Sequence, residues 1–102
     1  MNFRVRLGLR AKHALVDILN DPSNRYSETE RLSYIESIRR ICAGLSEFPN
    51  RFAIDEIQGA EFRSITFKAH RIFYLVDEEL REATIAAILH KRMDHQSRLP
   101  TP

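Results

Sequence analysis

The chain has 102 residues, enough for one small domain and too few for two. Hydrophobic residues make up 43% of it, which supports a single core and excludes global disorder. A net charge of +2 does not by itself point to nucleic-acid binding, because a solvated mixed surface has the same balance.

Cys42 is the only cysteine, so no intramolecular disulfide forms, which fits a reducing compartment. It falls on an apolar helical stripe and reads as a small buried hydrophobe, not a nucleophile. Arg4 and Arg6 stand where a signal peptide needs an apolar run. No segment approaches the roughly 18 apolar residues of a membrane span. The expectation is a cytoplasmic protein without a membrane partner.

Phe3, Val5 and Leu7 alternate with Arg4 and Arg6, which predicts a short strand with one buried face, ended by Gly8. From Arg10 to Asn20, Ala11, Ala14, Leu15, Ile18 and Leu19 recur at helical spacing. Asp21-Pro22-Ser23-Asn24 stops that helix, since proline cannot continue it. Ser27 and Glu30 have the spacing of a capping box. The helix they open is predicted to carry Leu32, Ile35, Ile38, Ile41, Cys42, Leu45 and Phe48 on one side and to close at Pro49-Asn50. With the first helix it makes a helical hairpin.

Arg51 to Ala60 reads as a connector. Alternating runs near 61–67 and 70–77, and a mostly apolar run at 83–90, predict three strands. Lys68-Ala69 is a tight turn between the first two, and Asp77 to Glu82 is a looser polar turn. The order is β-α-α-β-β-β, an α+β domain. The sheet is small, antiparallel and of mixed order, with the hairpin on one face and the first strand joining it. The domain spans residues 1–95, and 96–102 form a mobile tail.

The three glycines, at 8, 44 and 59, are too scattered for a phosphate loop. The histidines, at 13, 70, 90 and 95, do not form a ligand spacing, and neither a metal nor a cofactor is expected. Arg71 lies mid-strand, and alternation puts it with Phe73 and Leu75 while Ile72, Tyr74 and Val76 face the other way. Its charge reaches either a carboxylate on a neighbouring strand or a concave sheet face. Lys91-Arg92 is either a solvated strand end or part of a basic patch with Arg63, Lys68, His70 and Arg71. Tyr74 and His90 read as core or packed residues. His95 is the one group of the tail that titrates near neutral pH, and so a candidate acid.

The ordered set Phe62-Arg63-Ser64-Ile65, His70-Arg71-Ile72-Phe73-Tyr74, Asp77-Glu78 and Ile88-Leu89-His90-Lys91-Arg92-Met93-Asp94 resembles the meander of RelE/ParE toxins of type II toxin–antitoxin modules. The run Glu47-Phe48-Pro49 is similar to the family's helix exit. Gly8-Leu9-Arg10 departs from the family's usual start of the first helix and caps it weakly.

The resemblance implies an antitoxin partner in a hetero-oligomer, and two possible modes of action. The RelE branch cuts ribosome-bound mRNA with two lysines, two arginines and a tail tyrosine. The arginines correspond to Arg71 and Arg92, but the lysine positions hold Phe62 and Ser64, and the tyrosine position falls near Arg98. Arginine stabilises a phosphorane well but moves protons poorly, so His95 would have to supply the acid. The ParE branch lacks this set and poisons DNA gyrase. The chain looks more like that branch, with Arg63, Lys68, His70, Arg71, Lys91 and Arg92 expected to meet target or antitoxin. A ribosome-dependent nuclease, and a decayed binding module without toxicity, are the alternatives.

Overall fold

The computed structural model describes residues 2–23, 25–93 and 99. Strand β1 (Arg4–Leu7) leads into helix α1 (Leu9–Leu19) and helix α2 (Glu28–Gly44). A 3-10 turn at Pro49–Arg51 precedes strands β2 (Ile54–Ile57), β3 (Ala60–Phe67), β4 (His70–Asp77) and β5 (Glu82–His90). The sheet order is β1-β5-β4-β3-β2. Neighbours from β2 to β5 pair antiparallel, while β1 runs parallel to β5 with Val5 opposite Ala83 and Leu7 opposite Ile85. The fold class read from the sequence therefore holds, with β1 in the sheet.

Two readings of the chain change. The connector at 51–60 contains β2, an edge strand that is largely exposed. Helix α2 ends at Gly44, not at Pro49. Leu45, Ser46 and Glu47 fold back onto the carbonyls of Cys42, Ala43 and Gly44, and this turn leaves Phe48 exposed instead of on the buried stripe. Leu32, expected on that stripe, is also exposed.

The helix starts follow their caps. Gly8 offers α1 no side-chain acceptor, whereas Ser27 and Glu30 close the capping box of α2 reciprocally at 3.1 and 3.2 Å. Arg31 ties the hairpin loop together by donating to the carbonyls of Leu19 and Tyr26. Gly8 has a further role. Its amide donates to the Ile85 carbonyl at 2.8 Å, and an added Cβ would stand 2.9 Å from that oxygen. The missing side chain is what lets the chain leave β1 for α1 directly against β5.

Both faces of the sheet carry buried side chains. On the helix side Ala11, Leu15, Ile38, Cys42 and Leu45 pack on Ile72, Tyr74, Ile85 and Ile88. Cys42 is buried as expected, and burial pushes its thiol up to about 11. On the opposite face Phe62, Phe73, Ala60, Ala86 and Ala87 form a second cluster with Leu99. Phe62 and Phe73 meet edge to face at 6.4 Å.

A β-bulge in β5 makes these two faces compatible. Tyr74 pairs with Ile85 but Phe73 pairs with Ala87, so Ala86 is an extra residue. Ala86 and Ala87 consequently share one face, and Ile85 and Ile88 both face the helices. Of the tail at 96–102, only Leu99 lies within the described residues, and it is buried. No helix among the described residues is long and apolar enough to cross a membrane.

Candidate functional site

The cations singled out from sequence do not form one patch. Directly opposed residues of an antiparallel pair share a face, so the register assigns each side chain. Arg71 lies opposite Thr66, on the face of Ser64 and Phe73. Arg63 lies opposite Tyr74, and His70 opposite Phe67, on the helix face. The expected grouping of Arg63 and His70 with Arg71 is thus corrected by strand parity: His70 and Arg71 are consecutive on β4 and point to opposite sides, and Arg63 pairs with Tyr74, whose side chain lies on the face away from Arg71.

Arg71 is held on three sides. Its Nη2 meets Asp55 Oδ2 at 3.3 Å, its Nε donates to Ser64 Oγ at 3.2 Å, and its guanidinium lies 5.2 Å from the Phe73 ring centre. The carboxylate reading of Arg71 is therefore realised, with the acid on β2, two strands away. Phe62, at one of the positions where the RelE branch has lysine, is fully buried beneath this face. Ser64, at the other, serves as the acceptor for Arg71.

Arg63 is structural in its contacts. Its Nη1 donates to the Asn50 carbonyl at 3.0 Å and to the Phe52 carbonyl, which fastens the 3-10 turn to the sheet. Tyr74 does the same from within the core, its hydroxyl donating to the Pro49 carbonyl at 2.6 Å. This satisfies a polar atom that would otherwise be buried alone.

His70 belongs to a second constellation. Its Nδ1 lies 2.7 Å from the Tyr34 hydroxyl of α2, and its ring stands edge-on to His90 at 5.6 Å. Burial, then the neighbouring His90, lowers its pKa below the ordinary histidine value. His90 Nδ1 accepts the Arg92 amide at 3.2 Å, which puts the proton of the neutral ring on Nε2. The Lys91 amide donates to the Ala69 carbonyl at 2.9 Å and brings the strand exit onto the β3–β4 turn. Lys91 and Arg92 are exposed and line a cleft with His70 and His90. Lys68 sits at that turn with its ammonium 5.4 Å from the Phe67 ring. His95, the candidate acid, lies outside the described residues.

The arrangement therefore offers two surfaces. One is an apolar sheet face carrying a compensated arginine. The other is a basic, histidine-lined cleft on the helix side. Sequence reasoning missed Asp55 and Tyr34 as members of these surfaces, and Arg25, which lines the cleft beside Lys91 and Arg92. No group of three or more metal-ligating side chains occurs among the described residues.

Comparison with known proteins adds the family. The chain resembles in fold a toxin–antitoxin complex of P. aeruginosa, a chromosomal ParDE system, with a TM-score of 0.72 at 17% identity over 86% of this chain and 95% of that one. It also resembles the RelBE2 toxin–antitoxin complex of Mycobacterium tuberculosis, with a TM-score of 0.65 at 18% identity over 91% of this chain and 95% of that one. No curated protein matches it significantly in sequence. The family model of the ParE toxin of type II toxin–antitoxin systems, parDE, matches residues 5–95. With nearly the whole domain matched, the chain belongs to the ParE toxin family.

Proposed function

We propose that the protein is the toxin of a type II toxin–antitoxin module that arrests growth by binding DNA gyrase and is neutralised by a cognate antitoxin. The observation that carries the choice of target is the environment of Arg71. Among the described residues, the polar side chains that the register and contacts place beside it include Asp55, Ser64 and Thr66, and the carboxylate is engaged by the guanidinium itself. RNA cleavage needs a group to take the 2′-hydroxyl proton and another to protonate the leaving oxygen. A buried Phe62 and an arginine-bound Ser64 supply neither. Protein binding asks only for shape and charge.

In this reading Arg71 marks the target- or antitoxin-facing side of the sheet, and Lys68, Lys91 and Arg92 add positive charge for an acidic partner segment. Arg63 and His70 support the surface by fastening the connector and the β3–β4 turn. The family membership and the two structurally similar toxin–antitoxin complexes support an antitoxin partner.

The test is induced expression without the antitoxin, with plasmid topology and bulk mRNA integrity read from the same cells. Arrest with intact mRNA and relaxed or cleaved DNA is expected. Arrest with fragmented translated mRNA and unchanged DNA would transfer the activity to a nuclease that draws its acid from the tail. Absence of arrest would favour a binding module without toxicity.

A further inference from the structure

The helix-side cleft shares its basic rim, Lys68, Lys91 and Arg92, with the proposed partner surface, and its interior has the character of a ligand site. Its larger part opens between α1, the start of α2 and the β3–β4 turn, with a volume of about 890 Å³, and a smaller part of about 570 Å³, lined by Arg25, Lys91 and Arg92, adjoins it at Tyr26, His70 and His90. That is the size of a small-molecule site. Ala14, Ile18 and Ile88 give it an apolar wall. Tyr34, His70 and His90 form a contiguous aromatic surface in it, Tyr34 and His70 meeting edge-on at 5.4 Å. Tyr26 adds a fourth ring, half exposed.

The net charge at the mouth is positive. Arg25, Lys68, Lys91 and Arg92 are exposed there, and among the described residues none of the four makes a salt bridge. The acids of the cleft are Asp17, Asp21 and Glu30. Two of them are already engaged by hydrogen bonds. Asp21 accepts the Ser23 amide and hydroxyl at 3.0 and 2.9 Å, and Glu30 accepts the Ser27 amide at 3.2 Å.

Aromatic rings beside exposed cations recognise a flat heterocycle that carries an anion. Lysine and arginine on a strand exit suit a phosphate. We propose that this cleft binds a nucleoside monophosphate, its base against Tyr34 and His70 and its phosphate on Lys91 and Arg92. The site lies on the face of the sheet opposite Arg71.

The test is a titration of the full-length chain followed by the ring resonances of His70 and His90. Adenosine monophosphate, adenosine and inorganic phosphate are added in separate arms. The nucleotide should shift both histidines saturably and bind at least about tenfold more tightly than either fragment. The Lys91→Ala/Arg92→Ala variant changes exposed side chains only. It should lose that tenfold advantage and bind the nucleotide no better than adenosine. No saturable shift with nucleotide up to about 10 mM would overturn the proposal. So would equal binding of phosphate alone, which would mean a bare anion site, or unchanged nucleotide affinity in the double variant.

Discussion

Arg71 on β4 and Asp55 on β2 meet at 3.3 Å across the intervening strand β3. The pair joins the middle of the sheet to its edge strand, over the Ser64 hydroxyl that lies between them in the strand order. Both partners keep contact with solvent, at 33% and 57% side-chain exposure, so the pair is worth little to the folded state. Asp55→Ala should change stability by less than about 1 kcal/mol, measured by urea denaturation. Arg71→Ala should remain folded and lose growth arrest, scored by plating after induction. Full toxicity in a folded Arg71→Ala variant would remove this face from the functional surface.

Tyr74 reaches from the core to the Pro49 carbonyl, and Pro49 is itself buried. Tyr74→Phe keeps the ring but leaves that carbonyl unsatisfied. The expected loss is about 1–2 kcal/mol in a urea melt. A neutral substitution would mean that water reaches the 3-10 turn.

Gly8 is constrained by space, its backbone φ of −69° being open to any residue. Gly8→Ala would press a methyl group against the Ile85 carbonyl, which is backbone and cannot rotate away. A cost of about 1–3 kcal/mol is expected, with the β1–β5 pairing loosened. Amide exchange at Arg6 and Gly8 should speed up relative to the β3–β4 hairpin.

His70 makes stability depend on pH with a defined sign. Burial and His90 hold its pKa below 6.5 in the folded protein, whereas the unfolded chain takes up the proton near 6.5. The contribution is therefore complete above 6.5, declines as pH falls below it, and levels off once the folded imidazole protonates. The urea midpoint should fall between about pH 7.5 and about pH 5.5, and fall less in His70→Gln.

Much of this fold was legible from local pattern. The alternation through Arg71, Phe73 and Leu75 against Ile72, Tyr74 and Val76 matches the two clusters on either side of the sheet. The capping box at Ser27 was readable because its two partners are three residues apart. What was not legible depended on long-range pairing. Strand β2 has four residues with an acidic, exposed middle, so no apolar alternation marks it; it exists because β3 pairs with it through a turn at Gln58-Gly59, both at positive φ. The bulge at Ala86 is invisible in a run of small and apolar residues. The separation of Arg63 and His70 from Arg71 required the register, and the Tyr34 partner of His70 lies 36 residues away in sequence.

The central claim is tested most directly by adding the purified chain to DNA gyrase acting on relaxed plasmid with ATP. The account predicts loss of supercoiling, with cleaved DNA accumulating when the enzyme is trapped, and relief of both when Arg71 is replaced by alanine. Undisturbed supercoiling, together with cleavage of translated mRNA by the same preparation in a ribosome extract, would contradict it.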